Sequence, residues 1–369
     1  MGLKIGGRGV SGERDGGARG VTARAWVEVA CDESGSDGEN LTGGNTDVFA
    51  HAGVRLPVAA AAASLGTIRE RIRSPAQEYK ANHLLREKHR AVLEWLLGPA
   101  GPLHGRAHVH LTEKTFLVVD RVVGLLLGDP AEAVGLFRAG PRGRADSAGT
   151  AAGEGFGERF GRREWQEFLV AANRLLRVRD HEAGAGREDP VAAFLRTVTA
   201  LLRAGPRSGP GPAAAGTLER LAGSGERARA YRARFLDGPP LVPPLNPLLP
   251  AIVATAAHWS AGGRPVRLVH DRQNMLTPDR VAWIEERAAR AGSGPVEVVL
   301  VVARDDPRVQ LADFLAGIAR RIASDELNGH GDARLAALLR PYVGPSSLWG
   351  DDRSRLLLGA GVVPGAPAR

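Results

Sequence analysis

Asp32-Glu33-Ser34-Gly35 closes an alternating run, Ala23 to Cys31, in which Ala25, Val27, Val29 and Cys31 share one face. Period-two alternation over that length predicts a half-buried strand. Two adjacent carboxylates at the end of such a strand, with a turn-forming Ser-Gly behind them, are costly to bury unless a cation meets them. A divalent metal ion is the obvious candidate. Acidic residues in comparable settings lie far downstream, and the expectation is a fold that gathers them around Asp32.

A polar loop (36–47) leads to an apolar stretch, Val48 to Ala63, read as one or two strands antiparallel to the first. Ser74-Pro75-Ala76-Gln77 has the form of a helix start, with Ser as cap, Pro at the first position and Gln three residues after the cap. The predicted helix runs to about Leu97, with Leu85, Val92 and Leu96 on one face and Glu78 and Lys80 near its beginning. A short strand, Arg106 to Leu111, ends at Glu113-Lys114, and an apolar helix follows from Phe116 to Leu127. Glu164 to Val178 and Val191 to Leu202 have helical spacing between Gly- and Pro-rich punctuation, so the middle third reads as a helical insertion.

Beyond the insertion come a short helix, Ala251 to His258, and a strand, Pro265 to His270, with Asp271 at its carboxyl end. Thr277-Pro278-Asp279 opens a helix to about Ala291. Val296 to Ala303 is apolar apart from Glu297, which predicts a strand buried on both faces. In a last helix, about Arg308 to Ser324, Leu311, Leu315, Ile318 and Ile322 form an apolar stripe. Asp313 falls on the opposite flank, between Gln310 and Gly317, with small neighbours that admit another element or an ion.

The 369 residues carry a net charge of +8 with 43% hydrophobic content, enough for a real core and compatible with a polyanionic partner. Only four lysines occur, so arginine supplies nearly all the positive charge, as coding from a GC-rich genome would give. No uncharged apolar run reaches the roughly 18 residues of a membrane span. No signal-peptide core opens the chain and Cys31 is the single cysteine, so a cytoplasmic location without an internal disulfide is expected.

The constellation Asp32, Glu78, Asp271 and Asp313 predicts an α/β fold in which carboxylates converge beyond the carboxyl ends of parallel strands. Hard oxygen ligands there suit Mg²⁺ or Mn²⁺. Two such ions about 3.5–4 Å apart activate water and stabilise the leaving oxygen of a phosphodiester.

Asp32-Glu33-Ser34-Gly35, Glu78-Tyr79-Lys80 and Val309-Gln310-Leu311-Ala312-Asp313 resemble the pattern of the domain-of-unknown-function 3800 family, which is similar to ribonuclease H-like nucleases and integrases. The resemblance covers about residues 22–127 and 246–325. It implies a ribonuclease H-like mixed sheet flanked by helices, with Asp32 as central metal ligand and Glu78, Asp271 and Asp313 as the others. Lys80 and Lys114 match lysines of the family pattern, and phosphate contact is the expectation for both. Tyr79 stands where the family usually has Leu. The implied organisation is a Gly- and Arg-rich N-terminus (1–21) without order, a first core part (22–127), an insertion (128–245), a second core part (246–325) and a tail (326–369).

Other signals lead nowhere. His108 and His110 share a strand face near His104, but no third ligand sits close in sequence, so zinc is not expected. The loop after Asp32 has Asp37 where a calcium loop needs Gly and Gly43 where it needs Glu. No phosphate-loop or nucleophile-elbow motif occurs. Cys31, Trp165, Trp259 and Trp283 read as packing residues. The functional expectation is a metal-dependent nuclease acting on DNA or RNA, with a protein partner or self-association left open. The alternatives are a non-catalytic nucleic-acid- or protein-binding component of a phage-defence or mobile-element system, and a hydrolase of small phosphorylated substrates.

Overall fold

The computed structural model describes residues 25–73, 80–141, 160–178, 188–204, 212–235 and 238–359. Five strands form one sheet: β1 (Val27–Ser34), β2 (Val48–Val54), β3 (Ala107–Glu113), β4 (Val266–Asp271) and β5 (Val296–Val301), in the order β3-β2-β1-β4-β5. β1 pairs antiparallel with β2 and β2 with β3, whereas β1, β4 and β5 run parallel. The fold is therefore α/β with a mixed sheet, and the carboxyl ends of β1 and β4 lie side by side.

The helices are α1 (Val58–Ile72), α2 (Ala81–Leu84), α3 (Arg90–Leu97), α4 (Lys114–Leu127), α5 (Ala131–Arg138), α6 (Arg162–Leu176), α7 (Pro190–Ala204), α8 (Pro212–Ala222), α9 (Gly225–Ala233), α10 (Leu248–Trp259), α11 (Pro278–Arg290), α12 (Pro307–Leu327), α13 (Ala333–Leu339) and α14 (Asp352–Leu358). None among the described residues is long and apolar enough to cross a membrane.

Alternation along the strands sorts side chains onto two faces. On one face, Ala50, Ala52 and Val54 of β2 and Val109 and Leu111 of β3 bury against α1, α3 and the stripe of α12, which includes Leu311, Leu315, Ile318 and Ile322. On the other, Val27, Val29 and Cys31 of β1 and Leu268 of β4 meet α10 and α11 through Ile252, Trp259 and Ile284. Gly53 of β2 lets α10 approach: a Cβ there would stand 3.2 Å from Thr255 Cγ2. The middle-third helices build a core of their own, with Trp165, Phe168, Phe194 and Leu218 packed on Val119, Val122 and Leu126 of α4. α4 thus belongs to this helical layer as much as to the strand it follows.

Four local expectations are corrected. Val48–Ala63 holds one antiparallel strand, as one alternative had it, and in place of a second strand the start of α1, because Pro57 ends extended pairing and the Ala-rich run after it is helical. The long helix to Leu97 is broken: Lys80 and Arg86 are extended, and α2, a 3₁₀ turn (Glu87–His89) and α3 are separate pieces. β5 is an edge strand, so only Val298 is buried instead of the whole run. Residues 326–359 are also structured, since Val343 and Leu348 form bridges to Val109 and Thr112 and cover the free edge of β3. Covering an edge removes unpaired backbone groups from solvent.

Candidate functional site

The carboxylates gather because of register. Cys31 pairs with His270 across β1 and β4, so the next residues, Asp32 and Asp271, end neighbouring parallel strands. Both point to the α12 side, as do Ala30 and Val269, which pack there against Val309. Asp271 is fixed by the Ala303 amide, which donates to its Oδ1 at 2.8 Å. Asp313 reaches the same place from α12. Gly317, one turn further on, allows this: a Cβ there would stand 2.4 Å from Ala81 Cβ and 3.9 Å from Ser34 Oγ. The helix therefore lies close against both α2 and the end of β1.

Asp32 is 8% exposed. Its Oδ1 accepts the Glu33 amide at 2.8 Å, an interaction that favours its charge. Burial first, then Glu33, Asp313 and Asp271, push its carboxyl up to about 8. A buried carboxylate ringed by like charges titrates high unless a cation joins it. Lys80 stands 3.6 Å from Asp313, well into solvent, and is the cation the structure places nearest that carboxylate among the described residues.

Three of the four expected carboxylates, Asp32, Asp271 and Asp313, thus come together, and Glu78 lies outside the described residues. Among the described residues no group of three or more His, Cys, Asp or Glu side chains is close enough to hold a metal ion. Coulomb repulsion reaches much further than a metal–oxygen bond, so the two observations describe different distances. Magnesium commonly takes one or two protein carboxylates and completes its shell with water and substrate phosphate. The donor set fits that mode, being all oxygen, with the Asp313 side chain partly exposed to solvent.

Lys114 departs from its expectation. Its side chain is fully buried and donates to Asp37 and Thr46 Oγ1, which anchors the loop after β1 instead of facing a substrate. Cys31 is buried as expected, and burial together with Asp32 pushes its thiol far above the usual range.

The opposite sheet face carries a layer that the sequence signals left scattered. His51 of β2 lies directly across from His110 of β3, and its ring stacks on His270 of β4 at 5.3 Å. His108 stacks on His258 of α10 at 3.9 Å. His51 Nδ1 shares a hydrogen bond with Thr255 Oγ1 at 2.9 Å, whereas its Nε2 and both ring nitrogens of His108 have no partner among the described residues. Burial lowers the pKa of all five, His110 to about 4, so these rings are neutral. Glu33 points to this side as well: Gln273 donates to its Oε2 at 2.8 Å, and burial raises its carboxyl to about 7. His104 is instead exposed and meets Tyr342, so the three histidines near β3 do not converge.

No family model, curated protein or solved structure matches the chain.

Proposed function

We propose that the chain is a metal-dependent nuclease on a ribonuclease H-like core, hydrolysing phosphodiesters of DNA or RNA. The observation that carries this reading is the meeting of Asp32, Asp271 and Asp313 at the carboxyl ends of parallel strands, with Asp32 held at a raised pKa by its neighbours. Asp32 and Asp313 would hold Mg²⁺ or Mn²⁺, with Asp271 beside them. Such an ion supplies Lewis-acid stabilisation and a more acidic bound water.

The protein's own groups do the rest. Burial and its carboxylate neighbours favour the protonated form of Asp32 in the absence of a cation, so acting as an oxygen ligand would release a proton. The Ala303 amide and the Glu33 amide hold Asp271 and Asp32 in place. Lys80 offsets charge at Asp313. In the reaction, a water oxygen bonds to phosphorus, the P–O bond to the leaving nucleoside breaks, the attacking water gives up one proton to solvent, and the departing oxygen takes one from solvent to leave as an alcohol.

Asp32→Asn and Asp313→Asn are each expected to lower cleavage of labelled oligonucleotides by 100-fold or more, as loss of an essential charge contact typically does. Circular dichroism should stay unchanged. Undiminished cleavage by both variants would exclude the mechanism. Oligonucleotide binding without turnover in the wild type would instead describe a non-catalytic binding component.

A further inference from the structure

A cleft of about 530 Å³ runs between α12 and the segment from α2 to α3. Four arginines line it: Arg86, Arg90, Arg320 and Arg321. Arg90 is committed to Asp332 at 2.7 Å and Glu94 at 2.8 Å, and Arg321 to Asp325 at 2.8 Å. Neither Arg86 nor Arg320 has an ion pair among the described residues. Glu87, exposed on the flank, is the lining carboxylate left without one.

Arg320 is built into place. Its Nε donates to Ser34 Oγ at 3.0 Å, directly after the Asp32-Glu33 pair. Its side chain lies across Gly35, where a Cβ would stand 2.8 Å from Arg320 Cδ; Gly35, at φ +89°, is also in a conformation that favours glycine. One edge of the guanidinium is thereby fixed, and Nη1 and Nη2 make no hydrogen bond to any described residue. Burial, then Arg321, disfavour its charge, against weaker support from Asp37, Asp325 and Asp47. Along α12, Arg320 follows Asp313 by seven residues, two turns on the same side and about 10 Å away. That rise sets Arg320 on the same flank of the helix as Asp313 but displaced along it, where an adjoining phosphate would pass.

A guanidinium without an ion pair among the described residues, two turns along α12 from Asp313, is placed to grip one phosphate of a chain whose neighbouring phosphate lies at the carboxylates. A guanidinium with one edge tied and two nitrogens free suits a phosphate oxygen pair. We infer that Arg320, assisted by the exposed Arg86, binds a backbone phosphate of a nucleic-acid strand adjoining the one presented to Asp32 and Asp313. This rests on the nuclease reading for the identity of the strand.

The test is fluorescence anisotropy of labelled single-stranded oligonucleotides of several sequences, in EDTA so that turnover is absent, across a salt series. Each phosphate contact contributes about 0.7 to the slope of log K against log salt on single strands. Arg320→Gln should lower the slope by about that amount and weaken all sequences alike, as loss of a backbone contact does. Arg86→Gln, at an exposed position, should do the same to a smaller extent, and Arg320→Lys should keep most of the slope. Slopes equal to wild type in Arg320→Gln and Arg86→Gln overturn the inference, as does a wild type that binds no oligonucleotide. Metal-dependent cleavage is scored separately on wild type and Asp32→Asn. Its absence alongside a reduced slope in Arg320→Gln would remove the nuclease reading and leave the phosphate contact standing.

Discussion

Asp32 combines near-complete burial, three carboxylate neighbours and a favourable amide contact. An unfolded Asp titrates near 3.9, and the folded one near 8. The folded chain therefore binds the extra proton, and stability is lost as pH rises from about 4 through 8. In EDTA, Asp32→Asn should match the wild type near pH 4 and exceed it at pH 9 by a few kcal/mol at most, roughly 1.4 per unit of raised pKa less solvent relaxation. Urea denaturation at the two pH values reads this directly, and a variant less stable than wild type at pH 9 would show that Asp32 is already neutralised. Lys80 and Lys114 show how far a residue type alone can be read. Both are rare lysines in an arginine-rich chain, yet one faces solvent beside Asp313 and the other is buried on Asp37. Sequence position says that a compact ammonium is wanted; only the fold says by which carboxylate.

At the scale of elements, α12 carries the site and its seating depends on Gly317. A Cβ at that position would stand 2.4 Å from Ala81 Cβ, so Gly317→Ala should force α2 outward and carry Lys80 away from Asp313. Overpacking costs typically 1–3 kcal/mol, more than the roughly 1 kcal/mol gained by replacing a helical glycine with alanine. Gly124 of α4 has nothing within 4 Å of its would-be Cβ, so Gly124→Ala should stabilise. Thermal melts of the pair give opposite shifts; a stabilised Gly317→Ala would contradict the close seating of α2. The stripe of α12 and the small residues around Asp313 were legible because a period of 3.6 assigns faces within one helix. The break between α2 and α3 was not, because Arg86 turns extended where no Gly or Pro marks it, and Arg90 is tied to Asp332 242 residues away.

Over the whole molecule, alternation along β1 and the apolar runs of β4 and β5 revealed the strands, and strand-end position revealed Asp32 and Asp271. What stayed hidden depends on pairing across long separations: the C-terminal segment that closes on β3, and the histidine layer from β2, β3, β4 and α10. His108 and His110 were visible as one strand's face, but nothing local shows that His51 and His258 complete it. Buried neutral histidines bind protons more readily once unfolded, so each lowers stability as pH falls below 6.5, until its folded pKa is reached. Asp32 and Glu33 act in the opposite direction over pH 4 to 8, so the histidine contribution is isolated by comparing wild type with His110→Gln. The wild-type advantage should shrink by up to about 1.4 kcal/mol per pH unit between pH 6.5 and about 4. A difference independent of pH would mean that folding leaves the His110 pKa at its unfolded value.

The proposed function requires that the meeting of β1, β4 and α12 perform metal-dependent hydrolysis. The most direct measurement is cleavage of labelled single- and double-stranded DNA and RNA by wild type and Asp32→Asn, in Mn²⁺, in Mg²⁺ and in EDTA. The expected result is cleavage of at least one substrate that requires the metal, returns when metal replaces EDTA, and is lost in Asp32→Asn. Cleavage that persists in EDTA or in Asp32→Asn, or no cleavage of any substrate in either metal, would contradict it.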